Sequence, residues 1–370
     1  MIKKATSNKN YIHLMLTGVL SMFLLTSCEL GVPNHTGDNS NIPSNLHKVS
    51  YSQIPGWNDD DVRYALQAFR NTCKAKIQYT GKVIPDRDLL EEKCKFLPSA
   101  SADTKTVRNW FESHFQPYQV YDEDRNSKGT FTGYYSPIIP GCKKQTYACN
   151  EPIMDVPEYG QSYKGIEKRK IVERKIGKVL YWANIVDVQN LQIQGSGMLR
   201  LEDGTLVKLN FSGVNDMPFK SIGEQIRSKG IRPDGGYTSD AVWTYLKKNP
   251  DLAKEVIYNN PRYVYFKSAS SPNVIGKMGT PLSKIRSIAM DDSIYTLGLP
   301  VYVNTNLSDG RRFRRLMVAQ DRGSAIRGWV RADIFFGKGE EAYKFAHGQH
   351  SQGEMYILMP KEYIYVKPEK

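Results

Sequence analysis

Two spacings of apolar residues alternate along this chain and divide it into helical and strand-rich stretches. Val62, Leu66, Phe69 and Cys73 recur every three or four residues and fall on one face of a predicted helix. Asn58-Asp59-Asp60-Asp61, just ahead, supplies a cap and negative charge for its first turn. A second helix is predicted behind Asp103, with Val107, Trp110, Phe111 and Phe115 as its apolar stripe. Around Thr130 to Ile139 the pattern turns to β, and strand formers and turns continue to about Leu201. There Tyr181-Trp182-Ala183-Asn184-Ile185-Val186 is the clearest strand. Helical signals return at Ser221 to Lys229, ended by Gly230, and at Ala241 to Lys248, capped by Ser239-Asp240 and stopped by Asn249-Pro250. From Tyr263 onward the chain reads as short strands parted by Gly, Pro, Asn and Asp, among them 263–266, 301–303, 316–319 and 355–358. That rhythm predicts a β-barrel rather than βαβ units.

The first residues fix the expected compartment. Lys3, Lys4 and Lys9 form a basic segment, and an apolar run of 12 residues follows from Leu14 to Leu25. A helix of that length is too short for a hydrocarbon core of about 30 Å and suits a signal peptide, residues 1–27. Leu25-Thr26-Ser27-Cys28 resembles a bacterial lipobox, which implies cleavage before Cys28 and acylation of that cysteine as a lipid anchor. Glu29 in place of Asp fits the sorting pattern of lipoproteins held on the outer membrane and facing the periplasm. Residues 28–50 are rich in Asn, Ser, Pro and Gly and read as a flexible tether.

The formal charge is +13 and falls to +10 once the three lysines of the signal segment are removed. A basic balance often marks nucleic-acid binding, but the secretion signal points instead to an anionic extracytoplasmic polymer such as peptidoglycan. Besides Cys28 there are Cys73, Cys94, Cys142 and Cys149, enough for two disulfides in an oxidising compartment. Three pairings are open, and Cys73 with Cys94 and Cys142 with Cys149 is the simplest. The spacings are not C-x-x-C and the six histidines are not clustered near them, so no zinc site is expected.

No G-x-S-x-G, P-loop or H-E-x-x-H is present, and Gln194-Gly195-Ser196-Gly197 reads locally as a tight turn with glycines at positive φ. What stands out is a set of aspartates at expected strand ends: Asp291 after Ser287-Ile288-Ala289-Met290, Asp321 after Val318-Ala319-Gln320, and Asp333 within Arg331-Ala332-Asp333-Ile334-Phe335-Phe336. Apolar and aromatic neighbours around Asp333 are an environment that raises a carboxyl pKa.

At these residues the sequence resembles the three-aspartate domain of the membrane-bound lytic murein transglycosylase A family. The likeness is carried by Asp321-Arg322-Gly323-Ser324-Ala325-Ile326-Arg327-Gly328, by Arg331 to Gly337, and by Arg286 to Asp291 followed by Leu297-Gly298-Leu299-Pro300-Val301. Phe131-Thr132-Gly133-Tyr134-Tyr135-Ser136-Pro137, Gln194 to Gly197 and Phe219-Lys220-Ser221-Ile222-Gly223 are similar to further motifs of that family. Two departures are visible. The usual Asp-Thr-Gly-Gly reads Asp321-Arg322-Gly323-Ser324, and an expected Asn-Gly reads Asn215-Asp216.

The resemblance implies a mainly β fold with helices. A large double-psi β-barrel domain would be formed by residues 51–136 and 202–370, with a smaller β-domain, 137–201, inserted and a substrate groove between the two. It implies non-hydrolytic cleavage of the β-1,4 bond between N-acetylmuramic acid and N-acetylglucosamine, leaving 1,6-anhydromuramoyl ends, with no cofactor or metal. Asp333 is the implied catalytic acid, with Asp321 and Asp291 in support. Thr132, Tyr134, Tyr135, Gln194, Gly195, Ser196, Gly197, Gly323 and Ser324 would line the groove. Two other readings stay open at this point: a non-catalytic peptidoglycan-binding lipoprotein, and a conventional muramidase in which Asp291 or Asp321 activates water.

Overall fold

The computed structural model describes residues 42–361 except 76–80, 82, 84–86, 159–161 and 271–272. The signal segment, the lipobox with Cys28 and most of the tether lie outside the described residues. In chain order, strand β1 (Leu46–Lys48) precedes helices α1 (Arg63–Cys73), α2 (Arg87–Lys93) and α3 (Thr104–His114), then β2 (Phe115–Val120) and β3 (Gly129–Ser136). Next come β4 (Ile138–Pro140), β5 (Glu151–Asp155), α4 (Lys168–Arg174), β6 (Lys178–Ala183), α5 (Ile185–Gln194), β7 (Gly197–Arg200) and β8 (Leu206–Val214). Helices α6 (Ile222–Ser228), α7 (Ser239–Lys248) and α8 (Pro250–Asn259) lead to β9 (Val264–Ala269). The chain then runs through β10 (Ser287–Met290), β11 (Pro300–Asn306), β12 (Arg312–Asp321), β13 (Arg331–Lys338), α9 (Gly339–Ala346) and β14 (His350–Pro360).

Six strands close into a barrel in the order β14-β11-β12-β10-β13-β3, and pairing of β3 back onto β14 completes the ring. Four of the six contacts are antiparallel, while β10 with β12 and β3 with β13 run parallel. Closure leaves these strands without free edges. β14 is long enough to serve two partners on one side: its first half pairs with β3 and its second half with β2, which carries β1 at the outside.

Consecutive residues of β10, β11 and β13 are buried, so both faces of these barrel strands are covered. All four residues of β10 are buried, and Phe69, Phe111 and Phe115 join Val301, Met317, Ile334 and Ile357 in one apolar core. α3 starts as expected, with Asp103 accepting from the Thr106 amide, but it ends at His114. Phe115 is the first residue of β2 rather than part of the helical stripe.

The 58–61 segment caps only through Asp61, whose side chain accepts from the Arg63 amide at 3.3 Å. α1 starts at Arg63 behind Val62, which supplies no side-chain cap. Asp60 is buried, and its two oxygens accept from Arg286 at 2.7 and 2.8 Å while Oδ2 also accepts from the Leu316 amide. Asp61 binds Arg63 and Thr104 instead.

A second sheet, β4-β7-β8-β9, is accompanied by a separate antiparallel pair, β5 with β6, whose connection contains α4. This sheet does not stop at Leu201; it draws its last two strands from Leu206–Val214 and Val264–Ala269, since β7 pairs with β8 and β8 with β9. Its core, with Ile139, Ile153, Leu199, Leu209 and Phe266, is separate from the barrel core. α5, α6, α7 and α8 enclose a third apolar cluster around Val186, Ile226, Leu246 and Val256.

Two elements differ from the sequence pattern here. Only 178–183 is strand; Asn184 accepts from the Val186 amide and starts α5 at Ile185. Pro250 ends α7 and also sits in the first turn of α8, where a missing N–H costs nothing. Both simple disulfides are present: Cys73–Cys94 joins the ends of α1 and α2, and Cys142–Cys149 closes the loop between β4 and β5. Among the described residues no helix is long and apolar enough to cross a membrane.

Candidate active site

One end of the barrel brings two of the three aspartates together through strand register. β10 lies between β12 and β13, and Ala289 is the register partner of both Asp321 and Asp333. The small side chain of Ala289 thus separates two carboxyl-bearing positions on its flanks. On the far side of β13, parallel pairing sets Thr132 of β3 opposite Asp333. Asp321 does close its strand, whereas Asp333 is the third residue of β13, inside the strand rather than at its end.

Asp333 is part-buried and held by a short relay. Arg331 Nη2 donates to Thr132 Oγ1 at 2.9 Å, and the Thr132 hydroxyl donates to Asp333 Oδ1 at 2.7 Å. Arg331 also donates to the carbonyls of Thr130 and Ala332, so its guanidinium reaches the carboxyl through Thr132. Arg331 fills one of the two acceptor positions of the hydroxyl, and the Thr132 proton is directed at Oδ1, so Oδ2 is the oxygen placed to carry an acidic proton. Burial pushes the Asp333 carboxyl up to about 6; the Thr132 hydrogen bond and the Arg331 charge pull the other way, and the charge of Asp321 adds to the rise.

Asp321 has more donors. The Tyr134 hydroxyl donates to Oδ2 at 2.9 Å, and the amides of Lys277 and Arg322 donate to Oδ1 at 2.9 and 3.0 Å. Burial still raises its pKa against these three hydrogen bonds. Burial, with the charge of Asp321 next, lifts Tyr134 well above its ordinary value and keeps its phenol a donor.

Asp291 follows Met290 directly and is engaged elsewhere. It accepts from the Ser293 amide and hydroxyl at 3.0 and 2.7 Å, from Arg327 at 2.8 Å and from the Gly328 amide at 2.9 Å. Burial opposes ionisation of Asp291, but these hydrogen bonds prevail and lower its pKa. Its carboxylate ties the 322–330 loop to the turn after β10, and the carboxylate charge acting on Asp333 comes from Asp321.

The other expected site residues fall into two groups. Tyr135, next on β3, donates its amide to Gln194 Oε1 at 3.4 Å, and its hydroxyl accepts from Asn190 at 3.1 Å. Gln194 ends α5, Gly195 caps that helix at φ +73°, and Ser196 leads into β7. Gly197 has no positive φ; it is small because a Cβ there would lie 2.3 Å from Leu191 Cδ1. Gly323 and Ser324 sit on the loop directly after Asp321, where the Gly323 carbonyl accepts from the Ile326 amide and Ser324 is exposed. The relay from Arg331 through Thr132 and the Arg322–Asp292 bridge of 2.7 Å escaped the sequence reading, although both arginines lie inside motifs it singled out. The departure at Asp216 has a local reason: its φ is +60°, a left-handed position where glycine is unstrained and Asp is tolerated. Among the described residues no group of three His, Cys, Asp or Glu side chains could hold a metal ion.

Comparison with known proteins gives matching signals in both parts of the chain. Residues 159–267 match the MltA specific insert domain, and residues 286–359 match the 3D domain. Membrane-bound lytic murein transglycosylase A of Escherichia coli K12 is 27% identical over 275 residues, covering 70% of this chain and 72% of that protein. The Vibrio cholerae protein of the same name is 26% identical over 242 residues, which covers 61% of this chain and 64% of that protein, just under two thirds of its length. Among solved structures, a membrane-bound lytic murein transglycosylase from Agrobacterium tumefaciens superposes with a TM-score of 0.76 at 26% identity, covering 86% of this chain and 98% of that one. MltA from Neisseria gonorrhoeae gives 0.75 at 25% identity, covering 88% and 94%. The fold is also that of E. coli MltA with bound chitohexaose, at a TM-score of 0.67, 22% identity and coverage of 86% and 96%.

Proposed function

The chain resembles membrane-bound lytic murein transglycosylase A along most of its length, and from that premise we propose that it cleaves peptidoglycan glycan strands without hydrolysis. The bond cut is the β-1,4 link from N-acetylmuramic acid to N-acetylglucosamine. The observation that carries this reading is the Asp333 carboxyl, pushed up to about 6 and hydrogen-bonded through one oxygen only to Thr132. At pH 7 about one molecule in ten then holds the proton, a usable supply of general acid.

Asp333 Oδ2 gives its proton to the glycosidic oxygen as the bond to muramoyl C1 breaks and positive charge develops on the sugar. The resulting carboxylate takes the proton of the muramoyl C6 hydroxyl, whose oxygen bonds to C1 and closes the 1,6-anhydro ring. A single carboxyl serves both steps, whereas hydrolysing glycosidases use a pair. Exclusion of water favours the internal hydroxyl over hydrolysis. Asp321 supports Asp333 by its charge and orients Tyr134. Asp291 acts at one remove by fixing the 322–330 loop.

The barrel is proposed to be of the double-psi kind, with the second sheet as an inserted domain running from Pro137 to about Ala269 rather than ending at Leu201. The glycan would lie between the two, along Thr132, Tyr134, Tyr135, 194–197, Gly323 and Ser324. That E. coli MltA of the same fold binds chitohexaose supports a sugar-chain ligand. The lipobox-like segment and the membrane-bound relatives support a lipid anchor at Cys28 on the outer membrane. The test is the mass of products from murein sacculi: an anhydro end supports the reading, a reducing end indicates a muramidase, and no cleavage indicates a binding protein.

A further inference from the structure

The loop that follows Asp321 carries arginines whose carboxylate partners are turned inward. Arg322 Nη1 donates to Asp292 at 2.7 Å, and Arg327 Nη1 to Asp291 at 2.8 Å with Asp292 at 3.8 Å. The aspartate side chains are 11% and 4% exposed, whereas those of Arg322 and Arg327 are 48% and 55% exposed. The four charges cancel in number, yet the acids face the protein and the guanidinium groups face solvent. The surface beside the catalytic end is therefore cationic. Arg322 is the nearer of the two, because its own amide donates to Asp321 Oδ1. Lys277, also exposed, donates its amide to the same oxygen, so the backbones of two cationic residues converge on one carboxylate.

We propose that Arg322 forms a carboxylate-recognising subsite, which selects glycan strands whose peptide stems carry free carboxylates over the same strands with those carboxylates amidated. This deepens the functional reading above and rests on it. The peptide stem is joined through an amide to the lactyl group of muramic acid, the sugar whose C1 bond Asp333 attacks, and the free carboxylates lie along that stem. A guanidinium has five N–H donors, and the bridge to Asp292 fixes Arg322 through one of its nitrogens. The remaining donors can meet a planar carboxylate in two parallel hydrogen bonds, a geometry an ammonium does not offer. Anchoring on Asp292 also lowers the entropy lost when the side chain engages its ligand.

The test compares kcat/KM for peptide-bearing glycan strands and for the same strands with their stem carboxylates converted to primary amides, read as anhydro product. The parent should prefer the strands with free carboxylates. Arg322→Gln keeps a hydrogen-bonding amide near Asp292 but removes the charge. It should cut the preference roughly two- to fivefold, the worth of a solvent-facing ion pair, chiefly through KM. Added salt should erode the parent's preference and leave that of the variant unchanged. A double variant, Arg322→Gln with Asp292→Asn, carries the same test if the single one unfolds. Equal preference in parent and variant at low salt, with anhydro product from both substrates, overturns this inference alone. Absence of anhydro product from either substrate with the parent overturns the functional reading and this inference with it.

Discussion

Thr132 and Asp333 stand opposite each other across the parallel pair of β3 and β13, and the threonine hydroxyl donates to Asp333 Oδ1 at 2.7 Å. The hydroxyl is itself oriented by Arg331, a cation that reaches the acid only through this relay. The contact therefore stabilises the ionised acid and at the same time fixes which oxygen is left for the proton. Burial outweighs it, and the acid stays near 6.

Thr132→Val keeps the shape of the side chain and deletes that hydrogen bond. Losing a bond that favours the ionised form raises the Asp333 pKa further. The alkaline limb of the rate, set by deprotonation of the acid near pH 6, should move upward by roughly half to one pH unit, the equivalent of about 1 kcal/mol. Initial rates from pH 4 to 9 measure it. A limb that moves downward, or stays put, contradicts the assignment of Thr132.

Asp321→Asn tests the opposite sign. The charge of Asp321 helps raise Asp333, so neutralising it should lower the Asp333 pKa and move the same limb downward. Asn can still accept from the amides of Lys277 and Arg322 through its carbonyl oxygen. The shift should be smaller than that of Thr132→Val, because burial and Thr132 are the larger influences. The two limbs moving in the same direction would be inconsistent with this geometry.

What could be read from the sequence depended on how local the cause was. The start of α3 was legible because Asp103 and Thr106 are three residues apart. α5 was not, since the β-branched Ile185-Val186 reads as strand until Asn184 is seen to cap it. The stop at Pro250 was read and the helix it begins was not, as one proline serves both. The acids 59–61 passed for first-turn charge because the partner of Asp60 lies 226 residues away. Thr132 and Asp333 are 201 residues apart. No periodicity joins them, and only the family motifs pointed to both. The engagement of Asp291 with Arg327 and Gly328 was invisible for the same reason.

The Asp60–Arg286 pair gives a stability prediction independent of chemistry. Asp60→Ala leaves the buried Arg286 guanidinium without its carboxylate and the Leu316 amide without an acceptor. Removing one partner of a buried pair costs about 3–5 kcal/mol. Urea unfolding should show a midpoint lowered accordingly, and a loss under about 1 kcal/mol would mean that water replaces the carboxylate.

Cys28→Ala addresses the anchor. The variant should lack acyl chains and leave the membrane fraction, since the lipobox-like segment supplies its proposed attachment. If it still fractionates with the outer membrane, the lipoprotein reading fails.

Asp333→Asn separates catalysis from architecture. Asn is nearly isosteric and can keep accepting from Thr132, but it neither delivers nor takes up a carboxylic proton. General acid–base catalysis is typically worth about 10²–10⁴-fold, and loss of the only acid should reduce release of 1,6-anhydromuropeptides by at least that much. Stability should move the other way. The folded pKa of Asp333, about 6, lies above the ordinary aspartate value of 3.8. Ionisation therefore destabilises the fold progressively as pH rises from about 4, and fully above about 6. A difference of this size corresponds to about 2–3 kcal/mol, less whatever relaxation and partial exposure recover. At pH 8 the Asn variant should melt no lower than the parent and at pH 4 the advantage should vanish. A purely structural Asp333 predicts the reverse, with a lower melting temperature and near-normal turnover in the folded fraction. Melting temperature at the two pH values and anhydro-product rate, taken on one sample, decide between them.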